Sequence, residues 1–158
     1  MSELAIRLYP DPVLRTKGAA VKAFGPELRS LTDRMLAAMR AARGIGLAAP
    51  QVGVSLQLFV VDTSHDPEPL ELDGKAVADP REIMPLIMAN AEVQILPGEE
   101  ERMEEGCLSF PGIRGDVARV ERIRADFRDA TGAPRTLVAS GLLARCIQHE
   151  HDHCQGVL

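Results

Sequence analysis

The sequence lacks several features that would assign it to a specialised class of protein. No apolar run among its 158 residues approaches the roughly 20 that a membrane-spanning helix needs. The net charge of −5 (18 basic and 23 acidic side chains) gives no reason to expect a nucleic-acid motif or binding to an acidic membrane. The start of the chain shows no basic stretch followed by an apolar core, so we expect no secretion signal.

Cysteine is also scarce. Cys107, Cys146 and Cys154 are odd in number, which argues against a disulfide framework and for reduced thiols in the cytoplasm. A chain of 158 residues is long enough to bury a core without disulfides, and it shows neither an internal repeat nor a linker. The sequence therefore predicts one cytoplasmic domain spanning residues 1–158.

Periodicity predicts two helices separated by strands. Residues 25–44 form the first helix, with Pro26 in its first turn and Gly44 as its end. The second runs from Gly141 to Gln155, with Ser140 as N-cap and Gly156 as its stop. Strand character appears in four stretches, 56–62, 86–96, 117–128 and 135–139. We expect residues 63–85 to be a surface loop or insertion and residues 98–106 a solvated turn.

Three of the four histidines lie within the predicted last helix, in IQHEHDHCQG (147–156). At 100° per residue, one sector of about 60° holds the apolar stripe and two of the histidines, and its members are Leu142, Cys146, His149 and His153. Glu150 and Leu143 lie at the edge of this sector. The opposite side carries His151, Gln148, Gln155 and Asp152.

His149-Glu150-x-x-His153 is the spacing at which two imidazoles one helical turn apart converge on a metal ion. The adjacent glutamate is then placed to act as a general base. The alternative is a hydrogen-bonded pair of core histidines beside a surface glutamate. Placement on the apolar face favours the metal, because an unpartnered buried imidazole is costly.

A catalytic metal bound by two histidines needs a third protein ligand. Cys107, in EEGCLSFPG, is a candidate because a thiolate next to a divalent cation is deprotonated outright. It could instead be a small buried hydrophobe or a catalytic nucleophile. We expect Cys146 and Cys154 to pack in the core.

The stretch GIGLAAPQVG (44–53) carries little side-chain bulk after the first predicted helix. Such a loop can lie against an extended ligand and bond it through the main chain, and the Gln51 amide could stabilise an oxyanion. A tight helix-to-strand connection, in which the Gln51 amide is hydrogen-bonded within the protein, explains the loop equally well.

These three stretches together resemble the peptide deformylase family, whose motifs are a GxGLAAPQ loop, an EGCLS segment and a QHExDH helix in that order. They stand here at Gly44–Gln51, Glu105–Ser109 and Gln148–His153, and IRLYPDPVLR resembles the family's opening. The resemblance implies an α+β fold with short, mostly antiparallel sheets around a C-terminal metal-bearing helix. It also implies removal of the formyl group from the N-terminal formylmethionine of newly made proteins.

The resemblance further implies the roles of individual residues. Cys107, His149 and His153 would bind one divalent metal ion per chain, Fe²⁺ or Zn²⁺. Glu150 would be the general acid and base, and Gln51 with the backbone N–H of Leu108 would support the oxyanion. Five residues match positions around the methionine pocket, namely Ile45, Gly46, Glu105, Leu142 and Cys146. Arg114 matches a residue near the bound peptide. The implied partners are N-formylmethionyl nascent peptides and, transiently, the ribosome.

The sequence departs from the family pattern at two places. Cys154 stands where leucine is usual, and we expect packing to absorb the change. The sequence ends at QGVL, where many relatives continue into a C-terminal helix or strand that docks on the ribosome in some members. We therefore expect a complete active site without that mode of docking.

The sequence leaves three competing hypotheses about function open. A zinc endopeptidase shares the His-Glu-x-x-His helix but leaves Cys107 unexplained. A non-catalytic metal-binding relative needs neither Glu150 nor Gln51. A cysteine hydrolase, with Cys107 as nucleophile and His149 as base, would keep its activity after chelation.

Overall fold

The computed structural model describes residues 4–157, except for the side chain of Ile113. This range holds two α-helices, α1 (Pro26–Ala41) and α2 (Gly141–Cys154), and neither is long and apolar enough to cross a membrane. Single 3-10 turns lie at Pro12–Arg15, Ala49–Val52 and Pro80–Ile83. The strands are β1 (Gly46–Ala48), β2 (Leu58–Val61), β3 (Leu70–Leu72), β4 (Lys75–Val77), β5 (Leu86–Ile95), β6 (Glu100–Cys107), β7 (Phe110–Val120), β8 (Arg122–Arg128) and β9 (Pro134–Ser140).

Every strand pairing is antiparallel. Seven strands form one sheet in the order β1-β2-β5-β8-β9-β3-β4, and β6 and β7 form a separate two-stranded hairpin. On β8 the buried Ile123, Ala125 and Phe127 alternate with exposed positions, as expected of a strand with one face on the core. The predicted α+β fold, with mostly antiparallel sheets and a C-terminal helix, is confirmed.

Strand β2 is buried on both faces, because the two helices cover opposite sides of it. Phe59 and Val61 belong to the apolar cluster that includes the buried side chains of α2. Leu58 and Val60 belong to a second cluster that contains Met35 and Met39 of α1. This explains why the sequence shows a continuous apolar run here rather than an alternating one, and it confirms the predicted buried strand.

Helix α1 ends earlier than expected. Its last residue is Ala41, and the left-handed position beyond it is Arg43, at φ 59°, rather than Gly44. Gly44 still contributes to the helix end, because its N–H bonds the carbonyl of Met39 at 2.9 Å. Helix α2 follows its prediction to within one residue.

Three loop and strand predictions were wrong. Residues 63–85 contain a β-hairpin, and its strand β3 pairs with β9 and so extends the large sheet. Residues 98–106 belong mostly to β6. The sequence predicted a turn here because the side chains are almost all solvated and show no alternating apolar pattern. The run 117–128 is divided at Glu121, where the chain leaves β7 for β8 and passes from one sheet to the other.

Candidate active site

Three separate segments bring the predicted site residues together. Helix α2 supplies His149, Glu150 and His153, and β6 ends at Cys107, where the pairing with β7 shifts register. The 3-10 turn after β1 supplies Gln51. The turn and the helix both lie against the core, so their functional side chains are held by packed elements.

The sulfur of Cys107 and the nearest ring nitrogens of His149 and His153 all lie within 4.8 Å of one another. Cys107 Sγ is 3.3 Å from His153 Nε2, which is 3.0 Å from His149 Nε2. Zinc–nitrogen bonds of about 2.0–2.1 Å and zinc–sulfur bonds of about 2.3 Å in a tetrahedron place such atoms roughly 3.3–3.6 Å apart. The cluster therefore has the size and the donor set of a divalent metal site.

The two histidines differ in their pKa values. Burial lowers the pKa of His153 to about 3, so its ring is neutral, as a metal ligand must be. Burial opposes protonation of His149 as well, but hydrogen bonds with Cys107 and Glu105 raise its pKa to about 10. A divalent cation bound at the same nitrogen displaces that proton.

Glu150 is buried beside the cluster without being part of it. Burial is the main cause that raises the pKa of its carboxyl to about 7. Its Oε1 has no hydrogen-bond partner among the residues that the structure describes, which is costly for a buried oxygen. A Cβ on Gly46 would lie 2.6 Å from Glu150 Oε2, so the glycine makes room for the carboxylate. Glu150 is thus suited to exchange a proton near neutral pH.

Gln51 is almost completely buried and its amide is oriented by the backbone. Its Oε1 accepts a hydrogen bond from the Ala48 N–H at 2.9 Å. Its Nε2 therefore points the other way, 3.5 Å from Cys107 Sγ and 3.3 Å from Ser109 Oγ. The donor end of the amide therefore lies next to the cluster of Cys107, His149 and His153.

Glu105 makes contacts that the resemblance did not lead us to expect. Its carboxylate is 3.0 Å from His149 Nδ1 and also accepts hydrogen bonds from Arg119 and Arg145. Burial opposes ionisation of Glu105, but these contacts with His149 and Arg119 outweigh it and lower its pKa to about 2. Glu105 therefore holds the ring of His149, one of the three candidate metal ligands. The resemblance implied a position at the methionine pocket for this residue.

The sequence analysis missed Ser109, Arg119 and Arg145. Arg119 donates to Glu105 and, at 2.7 Å, to Asp152, which the helical projection placed on the side away from the metal. No local pattern identifies these arginines, because the partners of each come from other elements. The EGCLS motif alone could have drawn attention to Ser109.

Three of the residues predicted around the methionine pocket, Ile45, Gly46 and Cys146, are close to one another. Cys146 Sγ is 3.8 Å from the carbonyl of Ile45, and a Cβ on Gly46 would lie 2.8 Å from the same sulfur. Leu142 is half-buried one helical turn before Cys146. Arg114 is exposed on β7, opposite Gly106 of β6.

Matches to known proteins identify the family of this chain. The family model described as polypeptide deformylase matches residues 3–158. The chain belongs to the peptide deformylase family. A peptide deformylase of Opitutus terrae is 51% identical over 161 residues, covering 98% of this chain and 82% of that protein. Peptide deformylase 2 of Gloeobacter violaceus is 44% identical, with 98% and 76% covered.

Solved structures of peptide deformylases have the same fold. The enzyme of Thermotoga maritima superposes with a TM-score of 0.85 at 35% identity, covering 100% of this chain and 95% of that one. The enzyme of Synechococcus elongatus in complex with actinonin gives 0.84 at 42% identity, with 98% and 75% covered.

Members of this family are metal-dependent hydrolases that remove the N-formyl group from nascent peptides. The predicted activity of the protein as a peptide deformylase is confirmed. Family membership supports this hypothesis over the zinc endopeptidase and the cysteine hydrolase. Cys154, the departure within the helix, is packed in the core as expected, with Sγ 3.5 Å from the carbonyl of Leu58.

Proposed function

We propose that deformylation takes place at the cluster of Cys107, His149 and His153, which would hold one divalent ion per chain, Fe²⁺ or Zn²⁺. The observation that carries this proposal is the approach of the three donor atoms to within 4.8 Å of one another beside a buried carboxylate. A bound ion supplies Lewis-acid activation of the formyl carbonyl and of water. The thiolate donor is compatible with either metal.

The protein's own groups then move the proton and bind the developing charge. Glu150 accepts a proton from the attacking water and returns it to the leaving amine, for which a pKa of about 7 is suitable. The Gln51 Nε2 and the backbone N–H of Leu108 donate hydrogen bonds to the negative oxygen of the formyl group. Because Ala48 holds the other end of the Gln51 amide, this donor is in place before the substrate binds.

We propose that the methionine side chain enters between Ile45, Gly46, Leu142 and Cys146. Three of these residues are in mutual proximity, and Ile45 packs against the apolar cluster that contains Cys146, which suits a flexible thioether. Arg114, exposed on β7, would lie near the following residues of the peptide. Glu105 contributes instead by orienting His149, because a carboxylate on the second ring nitrogen fixes the tautomer that binds a metal.

The cellular setting is also a proposal. We propose that residues 1–158 act as one catalytic domain in the cytoplasm, in transient contact with ribosomes that release the formylated substrate. Both helices pack on one large sheet, and the three cysteines are free, which suits a reducing compartment.

One experiment tests the central proposal. Hydrolysis of formyl-Met peptides is measured together with metal content, before and after chelation and after return of Fe²⁺ or Zn²⁺. We expect about one metal ion per chain, loss of activity on chelation, and recovery with metal. Full activity without metal would refute the site. A metal-loaded protein inert on formyl-Met peptides would favour the non-catalytic relative.

A further inference from the structure

The proposed cysteine ligand comes from an element that the main sheet does not hold. Cys107 is the last residue of β6, and β6 pairs only with β7 among the described strands. Most side chains of this hairpin are exposed, so little apolar packing holds it in place. Yet Cys107 Sγ has to stay close to two histidines on α2. Other contacts must hold the hairpin against the helix.

Polar side chains of α2 provide these contacts. Gln148 Nε2 donates to the carbonyl of Val120 at 2.9 Å, and Asp152 accepts from Arg119 at 2.7 Å. Arg145 makes more hydrogen bonds to the hairpin than Gln148 or Asp152 does. Its guanidinium donates to the carbonyl of Val117 on β7 at 3.0 Å and to two groups on β6, the carbonyl of Glu101 and the carboxylate of Glu105.

Arg145 differs from Gln148 and Asp152 in bonding both strands of the hairpin, and it is buried, with 8% of its surface exposed. Two of its acceptors are backbone carbonyls, so their positions report the hairpin itself rather than a mobile side chain. The planar guanidinium presents five donors in a fixed fork, whereas a lysine ammonium is a point charge on a flexible stem.

We propose that Arg145 is a positioning residue that sets the distance between the β6–β7 hairpin and α2, and thereby places Cys107 against His149 and His153. Arg145 lies one helical turn before His149, and Glu105 lies two residues before Cys107. Both Glu105 and Cys107 approach His149. Loss of the guanidinium would remove the side-chain donor to two backbone carbonyls of the hairpin and one of the donors to the Glu105 carboxylate, and the hairpin end that carries Cys107 would shift. This inference rests on the proposed role of Cys107 as a metal ligand.

The test uses Co²⁺ in the full-length protein, because a cobalt–thiolate bond gives a charge-transfer absorption that imidazole ligands alone do not give. The variants are Arg145→Met, which keeps an unbranched stem without donors, and Arg145→Lys. Arg124→Met is the matched control, since Arg124 is an exposed arginine whose ion pair with Asp126 lies on β8. Co²⁺ affinity is measured by chelator competition, and hairpin mobility by amide hydrogen exchange.

We expect Arg145→Met to weaken Co²⁺ binding by roughly 10–100-fold, as loss of an outer partner of a metal ligand typically does. The thiolate band should fall more than the ligand-field absorption, and the amides of β6 and β7 should exchange faster. Arg145→Lys should show the same changes in milder form, and Arg124→Met should match the parent. A general loss of folding would instead reduce all cobalt absorption together.

Parent-like affinity, thiolate band and hairpin exchange in Arg145→Met would overturn the inference. If that variant does not fold, the same parent-like results in Arg145→Lys would overturn it. A parent protein whose Co²⁺ form has no thiolate band would refute Cys107 as a ligand, and with it the proposed site. The failure of this inference and the failure of the proposed function are therefore distinguished by the parent spectrum.

Discussion

Glu150 combines three properties that single residues rarely combine. It is buried, it has an oxygen without a partner among the described residues, and its position on α2 is next to a proposed metal ligand. A carboxylate kept in this state costs stability, which a purely structural role would not explain. The residue-scale predictions therefore begin with Glu150.

Replacing Glu150 by glutamine keeps the size of the side chain but removes its ability to accept a proton. We expect kcat to fall by a factor of roughly 10²–10⁴, toward the upper end because Glu150 serves two proton transfers. Metal content should stay at the parent level, since Glu150 is not a ligand. Steady-state kinetics on a formyl-Met peptide and metal analysis check this. Parent-like kcat in the metal-loaded variant would exclude the mechanism.

Gly46→Ala tests the space around the same carboxylate. The new Cβ would lie 2.6 Å from Glu150 Oε2 and 2.8 Å from Cys146 Sγ, so both side chains must shift. We expect kcat/KM for formyl-Met peptides to fall by at least about tenfold, because a 1 Å displacement of a catalytic group can cost about a hundredfold. Gly115→Ala is the control, since nothing lies within 4 Å of its added Cβ. Equal activity of the two variants would contradict this account.

At the scale of elements, α2 depends on a segment far away in sequence. Its predicted N-cap, Ser140, makes no side-chain capping bond. Instead the carboxylate of Glu68, from the connection between β2 and β3, accepts a hydrogen bond from the Leu142 N–H at 3.2 Å. A carboxylate at this end also interacts favourably with the helix dipole. The predicted surface loop therefore stabilises the metal-bearing helix.

Glu68→Ala should lower the free energy of unfolding by about 0.5–2 kcal/mol, the usual effect of removing a helix cap. Chemical denaturation of the protein measures the change. Glu71→Ala is a suitable control because Glu71 is an exposed acid three residues along, on β3. If both variants lose the same stability, Glu68 does not act as a cap.

At the scale of the whole molecule, a metal bound by ligands from two elements should hold the fold together. A ligand that binds only the native state stabilises it by about 2.7 kcal/mol at a concentration one hundred times its Kd. Helix α2 and the hairpin are far apart in sequence, so Cys107 and the two histidines converge only in the folded chain. Metal binding should therefore raise the Tm.

Added Zn²⁺ should raise the Tm of the metal-free parent, and Cys107→Ala should lose most of this rise and its stoichiometric metal. Thermal unfolding with and without metal, with metal analysis, provides the measurement. Cys154→Ala serves as the control, because Cys154 is a buried cysteine whose sulfur contacts the Leu58 carbonyl. That variant should be less stable overall yet keep the rise in Tm. Unchanged metal affinity in Cys107→Ala would refute the three-ligand site.

The sequence by itself determined what depends on neighbours along the chain. The spacing of His149 and His153 follows from the period of a helix, and both helices and the buried strand β2 follow from local apolar patterns. The three motifs were enough to identify the family, because motif residues are read directly from the sequence.

Only the tertiary structure decided which distant groups meet. The contacts of Glu105 with His149 and of Arg145 with two strands join residues 28 to 44 positions apart, and no local period encodes such pairs. The sequence also did not predict the β6–β7 hairpin. Its solvated strands show no alternation of apolar and polar residues, and its register is set by pairing across the turn. Local sequence patterns thus identified the candidate ligands, whereas sheet pairing and helix docking determined how these residues are held.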